Sequence, residues 1–154
     1  AIQVWGLTFD CNLDKLIVLQ KKTIRMMTFN KTYFSINGPP VHTAPLFKEL
    51  NILKLEDVIE LRVAQFAYDC IHKYTPRQFH DWFISTQSIH SHRTRSNTNG
   101  FGSNNVDMLA TGNLFIPLVR TTHYGLKAIK VCGPKIWNKI PTEIRNSVSR
   151  KPFA

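Results

Sequence analysis

Acidic residues are scarce: ten Asp and Glu stand against twenty Lys and Arg in 154 residues, a formal net charge of +10. No two aspartates are adjacent. Two-metal nucleotidyl transfer needs carboxylates that converge on cations roughly 4 Å apart. Asp10, Asp14, Asp57, Asp69, Asp81 and Asp107 are scattered and offer no such pairing. The chain also lacks a Gly-x-x-x-x-Gly-Lys loop to cradle a nucleotide. Cysteine is sparse as well. Cys11, Cys70 and Cys132 are far apart, odd in number and never in a C-x-x-C, which argues against a disulfide framework and a zinc ribbon. His90 and His92 lack ligand partners at zinc spacing, so no metal site is expected in this segment. Cys70 and His72 stand two apart on an expected helix and face different ways, a poor nucleophile–base pair. No run of 18 apolar residues exists, so neither a membrane span nor a membrane partner is expected. The thiols fit a reducing compartment; the expected localisation is intracellular, nuclear and cytoplasmic.

What is present is basic and helical. Residues 1–77 carry ten basic and seven acidic side chains, and residues 78–154 carry ten and three, so the excess lies mostly in the second half. Such an imbalance favours a polyanionic partner. Asn12 or Asp14 can cap a helix running to about Phe29. Leu13, Leu16, Ile17, Gln20, Ile24 and Met27 recur on one side of it, and Lys15, Lys22 and Arg25 fall opposite with Lys21 beside them. Asn37-Gly38-Pro39-Pro40 breaks the chain. Thr43-Ala44-Pro45 opens a short helical turn through Leu50. The longest helix spans Leu55 to Tyr74. Glu56, Asp57 and Glu60 fall in its first turns, where the helix dipole favours acids, and Ile59, Val63, Phe66, Ala67 and Cys70 form a core stripe. Thr75-Pro76 stops it.

Residues 86–113 change character, with 16 of 28 being Ser, Thr, Asn or Gly, and read as a flexible polar linker. Beyond it Leu114-Phe115-Ile116 and Leu126 to Val131 are strand-like. Gly133-Pro134 reads as a turn, and Lys135 to Lys139 and Pro141 to Val148 as short helices. The expected fold class is mainly α: a helical thumb-like bundle with a small strand element in the C-terminal third and a long polar loop. The expected segments are 1–36, a thumb-like basic helix region; 41–85, helical; 86–113, the linker; and 114–154, a small α+β segment. Trp137 reads as a core anchor, and Phe79, Trp82 and Phe83 as one buried cluster.

Several short motifs follow one another in order: Val4-Trp5-Gly6, Gln20-Lys21-Lys22 with Ile24-Arg25, His42-Thr43-Ala44-Pro45-Leu46-Phe47, His92-Arg93-Thr94-Arg95-Ser96, Gly133-Pro134-Lys135-Ile136-Trp137-Asn138, and Ile140-Pro141-Thr142-Glu143-Ile144-Arg145. As an ordered set they resemble the region C-terminal to the palm in reverse transcriptases of LINE-type (non-LTR, jockey-like) retrotransposons, over essentially the whole chain. The resemblance implies the thumb and following segment of an RNA-directed DNA polymerase, a piece of a longer polyprotein. Its aromatic-Ala-Asp-Asp palm motif and the Mg²⁺ it holds are not in this chain. The implied partners are an RNA template, a DNA primer and the rest of the parent polyprotein, with no small-molecule substrate on this segment. A degenerate or domesticated transposon remnant, acting as a basic nucleic-acid-binding or protein-interaction module, is the alternative.

The candidate nucleic-acid-binding residues are Lys15, Lys21, Lys22 and Arg25 on the first long helix and Arg93 and Arg95 in the polar linker. Cations on a rigid rod suit phosphate contact, and arginines among hydroxyls suit phosphates or single strands. No catalytic residue is expected. The purified chain should therefore incorporate no nucleotide into a primed template in Mg²⁺ or Mn²⁺, a primer-extension assay being the check.

Overall fold

A computed structural model describes residues 2–28, 42–89, 112–121 and 124–146. The elements in chain order are α1 (Ile2–Trp5), α2 (Asp10–Thr28), α3 (Ala44–Glu49), α4 (Leu55–Ile71), a 3₁₀ turn (Arg77–Phe79), α5 (Thr86–Ile89), α6 (Ile129–Lys139) and α7 (Thr142–Arg145). The protein is mainly α-helical. The Asn37–Pro40 break and most of the polar linker lie outside the described residues. Two compact units emerge, Thr8–Ile59 and Ala1–Leu7 with Glu60–Ala154.

In the first unit the seam is narrow. Leu13 and Ile24 of α2 are buried, three helical turns apart on one line. Ile24 clusters with Leu46 and Phe47 of α3, with Leu50 and Ile52 packed against them. Helix α3 ends in a Schellman motif: Ile52 N–H donates to Phe47 O and Asn51 N–H to Lys48 O, with Asn51 in the left-handed region at φ 52°. Gln20 of α2 then clamps the run-in to α4, its Nε2 donating to Leu53 O at 3.0 Å and its Oε1 accepting from Leu55 N–H at 3.1 Å. Pairing these groups satisfies backbone that the helix itself does not reach.

Helix α4 buries four members of the expected stripe, Ile59, Val63, Ala67 and Cys70, all under 9% exposed, while Phe66 is half-buried. It too ends in a Schellman motif. Tyr74 N–H donates to Asp69 O and Lys73 N–H to Cys70 O, with Lys73 at φ 59°. In the second unit Ala67, Tyr68, Cys70 and Ile71 join Phe83, Leu114 and Trp137 in one core, against which Phe66, Phe79, Trp82 and Ile140 pack. Phe66 meets Phe79, Trp82 and Phe83 edge-on, with ring centroids 5.7, 6.2 and 6.4 Å away. Lys130 Nζ sits 4.8 Å above the Trp82 ring.

The strand expectation fails in an instructive way. Among the described residues the only β pairing is an isolated antiparallel bridge between Ser85 and Leu114. Leu126 to Ala128 forms turns, and Ile129 to Val131 begins α6. The apolar and polar residues there alternate too briefly to override the helical spacing of Val131, Pro134 and Trp137, all buried. Gly133-Pro134 is likewise not a turn but lies inside α6. Proline inside a helix forfeits a hydrogen bond and crowds the preceding turn, costing about 3 kcal/mol. Full burial of Pro134 and of Trp137, at 0% exposure, offsets that cost. The glycine is there for space: a Cβ at Gly133 would stand 2.7 Å from Phe83 Cε1.

Gly133→Ala should therefore lower stability by roughly 1–3 kcal/mol, the usual cost of overpacking. The penalty should shrink in a Phe83→Leu background, where the clashing ring is gone. Urea midpoints of the four variants in that cycle measure it.

Candidate nucleic-acid interface

The expected basic stripe is built on α2. Helical geometry places Lys15 and Lys22 on nearly one line opposite the Leu13–Ile24 seam, with Arg25 and then Lys21 progressively round the flank. Lys15, Lys21 and Lys22 are exposed and Arg25 is half-buried. The seam and the Gln20 clamp anchor this helix, so the cations ride on a supported rod rather than a free one. Arg93 and Arg95 lie outside the described residues.

The apolar side of α2 is narrower than its spacing suggests. Leu16 and Met27, expected to fix the helix, are 41% and 62% exposed. Each is turned about 60° round the helix from the Leu13–Ile24 seam. Val18, Leu19 and Met26 are exposed too. The outer face is thus basic residues interleaved with apolar ones, not a purely charged stripe.

The Gly133-to-Arg145 motifs, by contrast, prove to be architecture. The Asn138 side chain pairs with the backbone of Leu114 on both sides, accepting from its N–H at 2.8 Å and donating to its carbonyl at 3.0 Å. One amide thereby substitutes for a partner strand. Arg145, 5% exposed, donates from Nε to Ile140 O, from one terminal nitrogen to Asn138 O at 2.9 Å, and from the other to Asn113 Oδ1 at 3.1 Å and Gly112 O at 3.4 Å. Burial pulls its pKa down from the ordinary arginine value. These acceptors spread its charge over carbonyl and amide dipoles. Sequence reading treated Asn138 and Arg145 as motif members without a role. The signal for Arg145 was its place one turn after Ile140-Pro141, where a long forked donor can reach back to the carbonyls that end α6.

Cys70 and His72 do not form a reactive pair. The Cys70 sulfur accepts from Thr75 Oγ1 at 3.7 Å, while the His72 ring lies 4.1 Å from Tyr68 and 6.0 Å from Tyr74. Burial pushes the Cys70 thiol up to about 11. Among the described residues no three His, Cys, Asp or Glu side chains gather to hold a metal, and no helix is long and apolar enough to cross a membrane. The chain matches no family model, no curated protein and no solved structure.

The Cys70 environment sets a pH dependence. The folded state holds the thiol proton more tightly than the unfolded state, whose thiol titrates near 9.0, so this contribution to stability is whole below pH 9 and is lost as pH rises towards about 11. A thiol-specific reagent at pH 8 should label exposed Cys11 quickly and Cys70 only as the chain unfolds, with mass spectrometry locating the label.

Proposed function

We propose that this chain is the primer–template-holding segment of an RNA-directed DNA polymerase of a non-LTR retrotransposon. The observation that carries the proposal is the α2 outer face, where Lys15, Lys22 and Arg25 project from a helix anchored by Leu13, Ile24 and Gln20. The ordered motifs and the net charge of +10 support the same reading. The segment works by positioning: rigidly held cations neutralise backbone phosphates, release counterions and fix the register of the duplex. They carry no base readout. The carboxylates and divalent metal of nucleotide transfer belong to a palm that is not in this chain. The setting is intracellular, where RNA template and DNA primer meet.

One observation favours the second reading, a transposon remnant serving as an interaction module. Leu19 and Met26, 56% and 72% exposed, intersperse the cations with apolar surface suited to a protein contact.

Changing Lys15, Lys22 and Arg25 together to Gln should weaken duplex binding by a similar factor on unrelated sequences. It should also flatten the salt slope of log affinity by about two to three units, since each phosphate contact contributes about 0.9. Gln preserves helix propensity, so the far-ultraviolet circular dichroism spectrum should not change. A salt titration on two duplexes decides it. An unaltered slope defeats the phosphate role.

A further inference from the structure

Within the Thr8–Ile59 unit a cavity of about 190 Å³ lies beside Gln20 and Lys21 of α2, His42 and Thr43 ahead of α3, and Lys54 and Glu56 at the start of α4. Four observations give it one character. The first turn of α4 is incompletely capped. Val58 N–H donates to Lys54 O and Gln20 takes Leu55 N–H, but among the described residues nothing accepts from the N–H groups of Glu56 and Asp57, and Lys54 has no acceptor side chain to cap them. Thr43 is 95% buried and lines the cavity, yet its side chain makes no capping bond, and no described residue hydrogen-bonds its hydroxyl. His42 Nδ1 accepts from Ala44 N–H at 3.2 Å, so the ring presents its Nε2–H as a donor. Lys21 and Lys54 supply two cations on the wall, opposed by the single carboxylate of Glu56.

Glu56 at the head of a 17-residue helix, a buried threonine whose hydroxyl takes no partner among the described residues, an imidazole and two lysines line one small space. We propose that this cavity binds a single phosphate group. In assigning that phosphate to a nucleic-acid strand the proposal rests on the nucleic-acid reading above; the phosphate site itself does not. The helix head favours an anion by its dipole and its free N–H groups. The threonine and histidine donors supply direction, and the lysines supply charge. Lys21, on the flank of α2 rather than its outer line, thus serves the cavity and not the stripe.

The test is an amide NMR titration of the whole 154-residue chain with inorganic phosphate, ionic strength being held with chloride. Saturable shifts are expected at the Thr43, Glu56 and Asp57 amides. Lys54→Gln should weaken them about tenfold, Lys21→Gln should act in the same direction, and Glu56→Gln should strengthen binding. All three residues are exposed, and the spectrum itself reports whether each variant is folded. A lack of saturable shifts at these amides overturns the site, whatever the duplex titration shows. A short oligonucleotide is then compared with its 5′-phosphorylated form. Displacement of phosphate by either identifies the strand as the source, the phosphorylated form alone marking a terminal phosphate. If neither displaces it, the strand assignment is overturned. The Lys15/Lys22/Arg25 variant should still bind phosphate, which separates failure of the stripe from failure of the cavity.

Discussion

Trp137 can be fully buried only if α6 lies hard against Phe83, and only a residue without a side chain at position 133 allows that approach. Much of the Glu60–Ala154 unit follows from this contact. Pro134 is accepted inside the helix because it fills the same core. Asn138, one residue beyond the tryptophan, is brought to the backbone of Leu114, and Leu114 closes the core that α4 begins. A short strand is unnecessary once a side-chain amide performs the pairing. The unit is therefore held by a packing constraint at one point and by directional hydrogen bonds radiating from it.

Helical segments with a long apolar period were legible in the sequence, α4 above all, because Ile59, Val63, Ala67 and Cys70 repeat at helical spacing and nothing competes. The Phe79–Phe83 cluster and the burial of Trp137 were legible for the same reason. Leu126 to Val131 was misread because six residues are too few to separate period 2 from period 3.6. Gly133-Pro134 was misread because local propensity points to a turn while tertiary packing decides for a helix. Leu16 and Met27 were placed inside because apolar spacing does not say how wide a stripe of the helix its neighbours cover. On the candidate interface, the side of α2 that carries Lys15 and Lys22 was legible. The partial cap at the start of α4 was not, since it depends on Gln20 reaching a residue 35 positions away.

Net charge also needs dividing by location. Of the basic residues in the second half of the chain, Arg145 is buried and committed to carbonyl and amide oxygens, and Lys130 lies over an indole ring. Arg145 is therefore withdrawn from the surface, while Lys130 stays exposed with its ammonium against the ring. On α2 the reverse holds: Lys15 and Lys22 are exposed on the outer face, and the apolar residues Val18 and Leu19 between them, with Met26 beyond, are exposed too. A polyanion would thus meet fewer positive groups than the composition suggests, but better oriented ones.

The guanidinium of Arg145 gathers oxygens from residues 112, 113, 138 and 140, much as a bound cation gathers ligands. Unlike a metal ion it arrives on the chain itself, and near the end of this unit. During synthesis those oxygens emerge from the ribosome first and have no internal partner until residue 145 follows. Helix α7 thus brings the donor that these oxygens share, and a nascent chain halted at Ile140 would hold the tryptophan but not the clasp.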